Sequence, residues 1–228
     1  MIGILVALIL SWLLLHFIEK KSILALGLWP IGLRLKQFGL GLMITSLLCL
    51  GVEFLEKVLS SAEWTINDNM LSIELLQRFW WDFRSVLTEE LLFRGALLYI
   101  LIQRLGEKKA ILISAIAFGI YHWFSFGIIG NLVPMIVVFL GTGLMGYVWG
   151  LAFAKTRSIL LPLGLHLGWN FTLNSMFSQG PLGEGLVNIQ NAQAISDFFS
   201  LVGLWGVPVI LWLIVSFMFK RHEVQGKH

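Results

Sequence analysis

The segment DFRSVLTEELLFRGALLYILIQRL (82–105) places three ionisable side chains, Glu89, Glu90 and Arg94, inside a long apolar stretch. Burying such a group in lipid costs about 2.5–3.5 kcal/mol on insertion scales, so these groups normally face one another or water. Glu90 and Arg94 are four residues apart and share one helix face, whereas Glu89 lies about 100° further round. The pattern predicts a Glu90–Arg94 pair and leaves Glu89 in need of another partner.

Two further apolar segments carry polar side chains at the same spacing. Phe118 and His122 are four residues apart in one of them, and His166 and Asn170 are four residues apart in the other. Three helices that each present polar groups on one face favour a single shared site inside a bundle. We expect His122 to be the partner of Glu89 in that site.

The composition is typical of a polytopic membrane protein. Of the 228 residues, 57% are hydrophobic and 13% are charged, and the mean hydropathy is +0.85, whereas soluble domains have about 25% charged residues. Positive charges lie in short connections rather than in one patch, which argues against a nucleic-acid partner. The expected fold is all-α, with one integral membrane domain over 1–228 and a motif-bearing core at about 82–177.

Length and apolarity predict about seven transmembrane helices. They are expected at Ile2–Phe17, Gly39–Leu59, Asp82–Leu105, Ala110–Phe126, Leu132–Ala154, Ile159–Phe177 and Phe198–Phe219. Lys and Arg are concentrated in alternate connections, which predicts an N-terminus outside the plasma membrane and a C-terminus in the cytoplasm. On these bounds Glu89 lies about 10 Å from the outer end of its helix, unless that helix begins earlier, near Ser72.

Two other stretches have structural interpretations. Gly141, Gly143, Gly146 and Gly150 recur along the fifth segment and predict close helix packing, because small residues let backbones approach each other. The glycine-rich stretch Ser178–Asn191 is expected to be an extramembrane loop.

The polar set has the composition of a hydrolytic site. A carboxylate beside an imidazole can hold a water molecule and take its proton, and a histidine with an asparagine amide can donate to an oxyanion. The alternative is a zinc site with Glu89, His122 and His166 as ligands and water in an open position. The usual zinc-protease signatures are absent, and the residues leave both schemes open. Cys49, the only cysteine, is expected to be a buried core residue rather than a nucleophile.

The three motifs resemble those of the CPBP family of intramembrane proteases, also called Abi or type II CAAX-peptidase-like proteins. E-E-x-x-x-R stands here at 89–94, F-x-x-x-H at 118–122 and H-x-x-x-N at 166–170. Each motif is short, but all three in this order on three hydrophobic segments are fairly specific. The resemblance covers about residues 82–177.

The resemblance implies an endopeptidase that cleaves a membrane-associated or lipidated protein or peptide. The implied catalytic residues are Glu89, His122, His166 and Asn170, and the implied supporting residues are Glu90, Arg94 and Phe118. By analogy, the first two catalytic residues activate water and the other two stabilise the oxyanion. The preferred scheme needs no metal, but zinc or another divalent cation stays open as a cofactor, as does the oligomeric state. The short chain is more similar to the bacterial members.

Two other functions are compatible with these residues. A non-catalytic membrane scaffold or regulator could use the same fold to bind a sensor or a peptide toxin, and Glu89→Ala would then still complement a deletion. A proton or ion carrier could also use intramembrane carboxylates and histidines. Against the carrier, the polar groups form one cluster and leave most of the other helices without a relay.

Overall fold

Helices form most of the molecule. The computed structural model describes residues 2–70, 72–177 and 182–225. Its α-helices are α1 Ile2–Glu19, α2 Ile31–Ser60, α3 Ser72–Phe93, α4 Ala96–Leu105, α5 Glu107–Ser125, α6 Leu132–Thr156, α7 Leu160–Phe171 and α8 Asp197–Gln225. A 3₁₀ turn, Ile23–Leu26, precedes α2, and a π-helical turn, Thr172–Met176, continues α7. The expected all-α helical bundle is confirmed.

Each predicted span corresponds to helical structure, but the third and the sixth are not single α-helices. The third is broken at Arg94–Gly95, between α3 and α4. A Cβ atom on Gly95 would collide with the carbonyl oxygen of Leu91, so a residue without a side chain is required where the chain leaves α3. One continuous helix over 82–105 is therefore wrong. The sixth span ends in the π-helical turn.

The start of α3 decides how deep the first motif lies. The helix begins at Ser72, well before the predicted start. The prediction began too late because the first turns contain Glu74 and Arg78 and are not purely apolar. Of the two starts considered from the sequence, the earlier one is correct. Glu89 consequently lies in the C-terminal part of α3 rather than near its beginning.

Four helical stretches in the described part of the chain are long and apolar enough to cross a membrane. They are α1, α2, α6 and the stretch Leu201–Lys220 of α8. Large apolar side chains on these helices are exposed, such as Val133 at 70% and Phe217 at 60%, as expected for contact with lipid. The motif-bearing α3, α5 and α7 are shorter or more polar, so the number of complete spans is approximate.

Helix α7 is held against α2 by direct contact between backbones. A Cβ atom on Gly164 would collide with the carbonyl oxygen of Phe38, and one on Gly168 would collide with that of Leu42. Glycine at these positions allows the two helices to approach more closely than side chains would permit. The contact fixes the position of α7, which carries His166.

The predicted glycine stripe on α6 is also a packing surface. Gly146 lies against Phe118 and Gly150 lies against Ile111, both on α5, and Gly141 faces α8. These contacts agree with the expected close packing. They place α6 against α5, the helix that carries the second motif.

A small sheet lies in connections that the sequence left as loops. Strand β1, Glu63–Ile66, pairs antiparallel with strand β2, Val187–Gln190. Strand β2 belongs to the stretch Ser178–Asn191, so part of the expected extramembrane loop is a strand; residues 178–181 of that stretch lie outside the described residues. Strands this short, paired across more than a hundred residues, leave no recognisable alternating pattern in the sequence.

Candidate active site

The three motifs meet around the ring of Phe118. Its centroid lies 4.5 Å from that of the His122 ring and 5.8 Å from that of the His166 ring. The guanidinium carbon of Arg94 lies 4.0 Å from the same centroid. Phe118 is buried and is therefore the common contact of residues from α3, α5 and α7.

Glu90 connects the first motif to the third. Its side chain is 0% exposed, and one carboxylate oxygen, Oε1, has two partners. Nη1 of Arg94 lies 3.1 Å from it as an ion pair, and Nδ1 of His166 lies 2.9 Å from it and donates a hydrogen bond. The predicted Glu90–Arg94 pair is present, and the same carboxylate also orients the imidazole of α7.

Arg94 is completely buried and is enclosed by α5 and α6. Its Nη2 donates to the carbonyl oxygen of Gly146 over 3.4 Å, while the face of the Phe118 ring covers the guanidinium. A Cβ atom on Gly146 would lie 2.9 Å from the Phe118 ring and 3.3 Å from Nη2 of Arg94. Position 146 must therefore be glycine for the arginine to occupy this place.

His166 has neighbours at both ring nitrogens. Because a carboxylate can only accept, Nδ1 carries the hydrogen that is donated to Glu90. Nε2 lies 3.4 Å from the amide nitrogen of Asn170 and 3.8 Å from a carboxylate oxygen of Glu89. In the neutral ring, Nε2 accepts from the Asn170 amide. Trp149 stacks on the imidazole at 5.6 Å between centroids and restricts its rotation.

The two adjacent glutamates differ in their access to solvent. The side chain of Glu89 is 14% exposed, whereas that of Glu90 is 0% exposed. We expected His122 to be the partner of Glu89, but the structure places His166 beside it. The physical reason is that α3 packs against α7 and α1 and only slightly against α5. Glu89 is consequently the carboxylate that a water molecule or a substrate can reach.

His122 is fixed by its own helix. Its Nδ1 lies 2.8 Å from the carbonyl oxygen of Phe118. A carbonyl oxygen only accepts, so Nδ1 is the donor and Nε2 of the neutral ring is left with a lone pair. The ring is partly buried between the aromatic rings of Phe118, Tyr121 and Phe126. It therefore offers an acceptor at a defined position.

Three buried polar atoms of the cluster have no hydrogen-bond partner among the described residues. They are Oε2 of Glu90 and Nε and Nη1 of Arg94, although Nη1 lies 3.1 Å from the Glu90 carboxylate as an ion pair. Because buried polar groups are normally paired, these atoms leave an acceptor and donors for an internal water molecule.

The metal-dependent scheme expects Glu89, His122 and His166 as ligands. Of this set, Glu89 and His166 lie 3.8 Å apart. Within the part of the chain that the structure describes, no three His, Cys, Asp or Glu side chains form a group that could hold a metal ion, so no step through a metal is derived from these residues.

Sequence reasoning missed a second polar contact between α3 and the end of α7. Asp82 is 0% exposed, and its carboxylate accepts from the side-chain amide of Asn174 and from the hydroxyl of Ser175. In the sequence, Asp82 marks only the start of a predicted span. The available signal was its spacing, because it lies seven residues before Glu89 and so on nearly the same face of α3.

One comparison with known proteins finds a match to a protein family. The family model for type II CAAX prenyl endopeptidase Rce1-like proteins matches residues 74–172, a range that contains all three motifs and most of α3 and α7. No curated protein and no solved structure matches the chain significantly. The resemblance inferred from the motifs is confirmed over this range, which is less than half of the chain: residues 74–172 are similar to the Rce1-like family of type II CAAX prenyl endopeptidases.

Proposed function

We propose that the protein hydrolyses a peptide bond of a membrane-associated or lipidated protein or peptide, using water activated by Glu89. One observation carries the proposal: two adjacent glutamates lie in different environments. Glu90 is sealed between Arg94 and His166, while Glu89 is partly open and lies 3.8 Å from Nε2 of His166. This division separates a carboxylate that supports the site from one that can meet a reacting water.

In the proposed reaction, Glu89 takes a proton from a water molecule while Nε2 of His122 accepts a hydrogen bond from that water. The hydroxide oxygen attacks the carbonyl carbon of the scissile bond, and the electron pair of the carbonyl double bond moves to its oxygen. This oxyanion accepts hydrogen bonds from Asn170 and His166. The tetrahedral intermediate then expels the amine nitrogen, which receives the proton held by Glu89.

The proposed roles require one protonation state of His166. His166 can donate from Nε2 while Nδ1 remains on Glu90 only if its ring is protonated. The cluster then contains two carboxylates, Glu89 and Glu90, and two cations, Arg94 and His166, and carries no net formal charge. Ionised groups in a low-dielectric interior require this kind of pairing.

The proposed orientation follows the charges of the connections, with the N-terminus outside and the C-terminus in the cytoplasm. Because α3 begins at Ser72, Glu89 lies about 25 Å along the helix from its outer end, at 1.5 Å per residue. The site is thereby nearer to the cytoplasmic face than the predicted bounds had placed it. A lipidated chain end on the cytoplasmic side could then reach it.

The test is a cleavage assay with purified protein in proteoliposomes. The probe is a quenched-fluorescence peptide with a farnesylated cysteine followed by three residues, compared with the same peptide without the lipid. Glu89→Gln should lower kcat/KM by at least about 100-fold, the usual contribution of a general base, without lowering the thermal unfolding temperature. Glu63→Gln, which changes an exposed carboxylate on β1, is the matched control and should leave the rate unchanged.

Wild-type rates for Glu89→Gln would refute the role of this residue. If the wild-type protein cleaved neither peptide, the proposed substrate class would be rejected. Cleavage of the farnesylated peptide alone would identify a lipidated substrate, whereas equal cleavage of both would show that the lipid is not recognised.

A further inference from the structure

Asp82 is a fully buried carboxylate that belongs to none of the three motifs. Its Oδ1 accepts from the side-chain amide of Asn174 over 2.7 Å, and its Oδ2 accepts from the hydroxyl of Ser175 over 3.3 Å. Both donors lie in the π-helical turn Thr172–Met176 that continues α7. Burying a carboxylate costs free energy of desolvation, which hydrogen-bond donors such as these offset.

Helix α3 is therefore joined by side-chain hydrogen bonds at two places to the segment formed by α7 and its π-helical turn. At the first, Glu90 accepts from His166. The second lies eight residues earlier on α3, at Asp82, and eight residues later on the other segment, at Asn174. From the first contact to the second, the position moves eight residues backward along α3 and eight residues forward along α7 and its π-helical turn. The two segments therefore run antiparallel, and the contacts are about two helical turns apart.

Asn170 lies midway between these contacts. It is four residues after His166 and four residues before Asn174, about one turn from each. Its amide nitrogen is 3.4 Å from Nε2 of His166, and its position along the segment depends on where both contacts hold the backbone.

The π-helical turn makes the second contact geometrically possible. A π turn includes more residues than an α turn and occurs mostly as a single turn at functional sites. Here it brings the side chains of Asn174 and Ser175 onto one carboxylate. The turn is also held from the opposite direction, because the carbonyl oxygen of Ser175 accepts from the backbone N–H of Leu186, just before β2.

We propose that Asp82 is a positioning residue for the hydrolysis described above. By holding the π-helical turn, it keeps the amide of Asn170 at the height of the Glu89 carboxylate, where the oxyanion forms. This role rests on the proposed peptidase function. It concerns the reaction geometry and not the binding of the substrate, because Asp82 is enclosed by α3 and the turn and is not accessible to a peptide.

The expected kinetic effect follows from that geometry. A displacement of about 1 Å at a reacting centre can cost about 100-fold in rate. Asp82→Ala should therefore lower kcat by about 10- to 100-fold and change KM by less than about threefold, since the surfaces that bind substrate are unchanged.

The experiment compares Asp82→Ala, Asp82→Asn and the exchange variant Asp82→Asn/Asn174→Asp with wild type. In the exchange variant the amide at position 82 donates to the carboxylate at position 174, which restores the contact with donor and acceptor reversed. Asp68→Asn, in the exposed connection before α3, is the matched control. Each protein is measured for hydrogen–deuterium exchange over residues 166–176 and for cleavage of the farnesylated probe peptide.

Asp82→Ala should increase amide exchange over 172–176 by at least about tenfold, while the exchange variant should return both exchange and kcat to within about threefold of wild type. If Asp82→Ala does not fold, Asp82→Asn and the exchange variant make the same comparison. Rescue distinguishes a positioning role from a role in stability alone. If Asp82 only stabilised the fold, Asp82→Ala would lower the unfolding temperature, and there would be no loss of kcat for the exchange variant to restore.

Two results would overturn the proposal. One is wild-type exchange over 172–176 in Asp82→Ala, and the other is a kcat loss that the exchange variant does not repair. The exchange measurement does not depend on activity. Suppose that the wild-type protein does not cleave the probe, but that amide exchange rises in Asp82→Ala and returns to normal in the exchange variant. The peptidase function would then be rejected, and the contact of Asp82 with the π-helical turn would be confirmed.

Discussion

At the residue scale, the buried pair of Glu90 and Arg94 is held by more than its mutual attraction. The carboxylate also accepts from His166, and the guanidinium is covered by Phe118 and donates to Gly146. A buried ion pair recovers its desolvation cost only when such additional contacts exist. The pair therefore serves to hold α3, α5 and α7 in one arrangement.

Glu90→Gln should destabilise the protein, because it leaves the guanidinium of Arg94 buried without a counter-charge. Breaking a buried pair in this way costs about 3–5 kcal/mol. The double variant Glu90→Gln/Arg94→Met should be less destabilised than Glu90→Gln alone, since it removes the uncompensated charge. Thermal unfolding in detergent measures both, and a single variant as stable as wild type would contradict this interpretation of the pair.

Gly146→Ala should lower stability by about 1–3 kcal/mol, the typical cost of overpacking. Its Cβ atom would lie 2.9 Å from Phe118 and would press on the aromatic ring at the centre of the site. Gly143→Ala is the matched control on α6, because its Cβ atom would lie 3.6 Å from the nearest atom, which is ordinary contact. Equal unfolding temperatures for the two variants would argue against the close approach at position 146.

At the element scale, α7 is fixed from two sides. It packs on α2 through backbone contacts at Gly164 and Gly168, and it meets α3 through the Glu90–His166 contact and the contact of Asp82 with the π-helical turn. The break at Gly95 follows Arg94, whose backbone N–H still donates to the carbonyl oxygen of Glu90 and whose side chain reaches Gly146. The site is thus assembled at irregular points of the helices.

Gly164→Ala should separate α2 from α7, because its Cβ atom would collide with the backbone of Phe38. The expected loss is about 1–3 kcal/mol, or about 2–4 °C in unfolding temperature for each kcal/mol. Gly39→Ala on α2 is the control: nothing lies within 4 Å of its Cβ position, and replacing a helical glycine there should be neutral or stabilising. A neutral Gly164→Ala would contradict the backbone contact.

The helices and the motifs could be predicted from the sequence because both depend on local patterns. Apolar stretches mark helices, and a spacing of four residues puts Glu90 and Arg94 on one face. The break at Gly95 has a local cause, the close approach to the carbonyl oxygen of Leu91, but an isolated glycine in a helical pattern does not by itself predict a break. The π-helical turn could not be predicted, because its side chains contact Asp82 on another helix. The same reason explains why His166 rather than His122 lies beside Glu89: the sequence contains no information on which helix packs against α3.

At the scale of the whole molecule, the bundle combines two kinds of helix. Long apolar helices such as α1, α2 and α6 provide the surface that meets lipid. The shorter or more polar α3, α5 and α7 carry the motifs and lie against them. The arrangement allows ionisable residues to be kept in a membrane protein, because they face one another and not the hydrocarbon.

The proposed orientation predicts which connections a membrane-impermeant maleimide can label on intact cells. In a Cys49→Ala background, Asp68→Cys should be labelled and Ser22→Cys should be labelled only after permeabilisation. Both positions are exposed, so the side of the membrane decides the result. Labelling of Ser22→Cys on intact cells, with Asp68→Cys protected, would reverse the orientation.

The most direct test of the central claim is product analysis by mass spectrometry after cleavage of the farnesylated peptide in water enriched in oxygen-18. If Glu89 activates water for direct attack, wild type should give a new C-terminus carrying one oxygen-18 atom, and Glu89→Gln should give at most about one hundredth of the product in the same time. Product from Glu89→Gln at the wild-type rate, or a covalent adduct between the peptide and the protein, would contradict it.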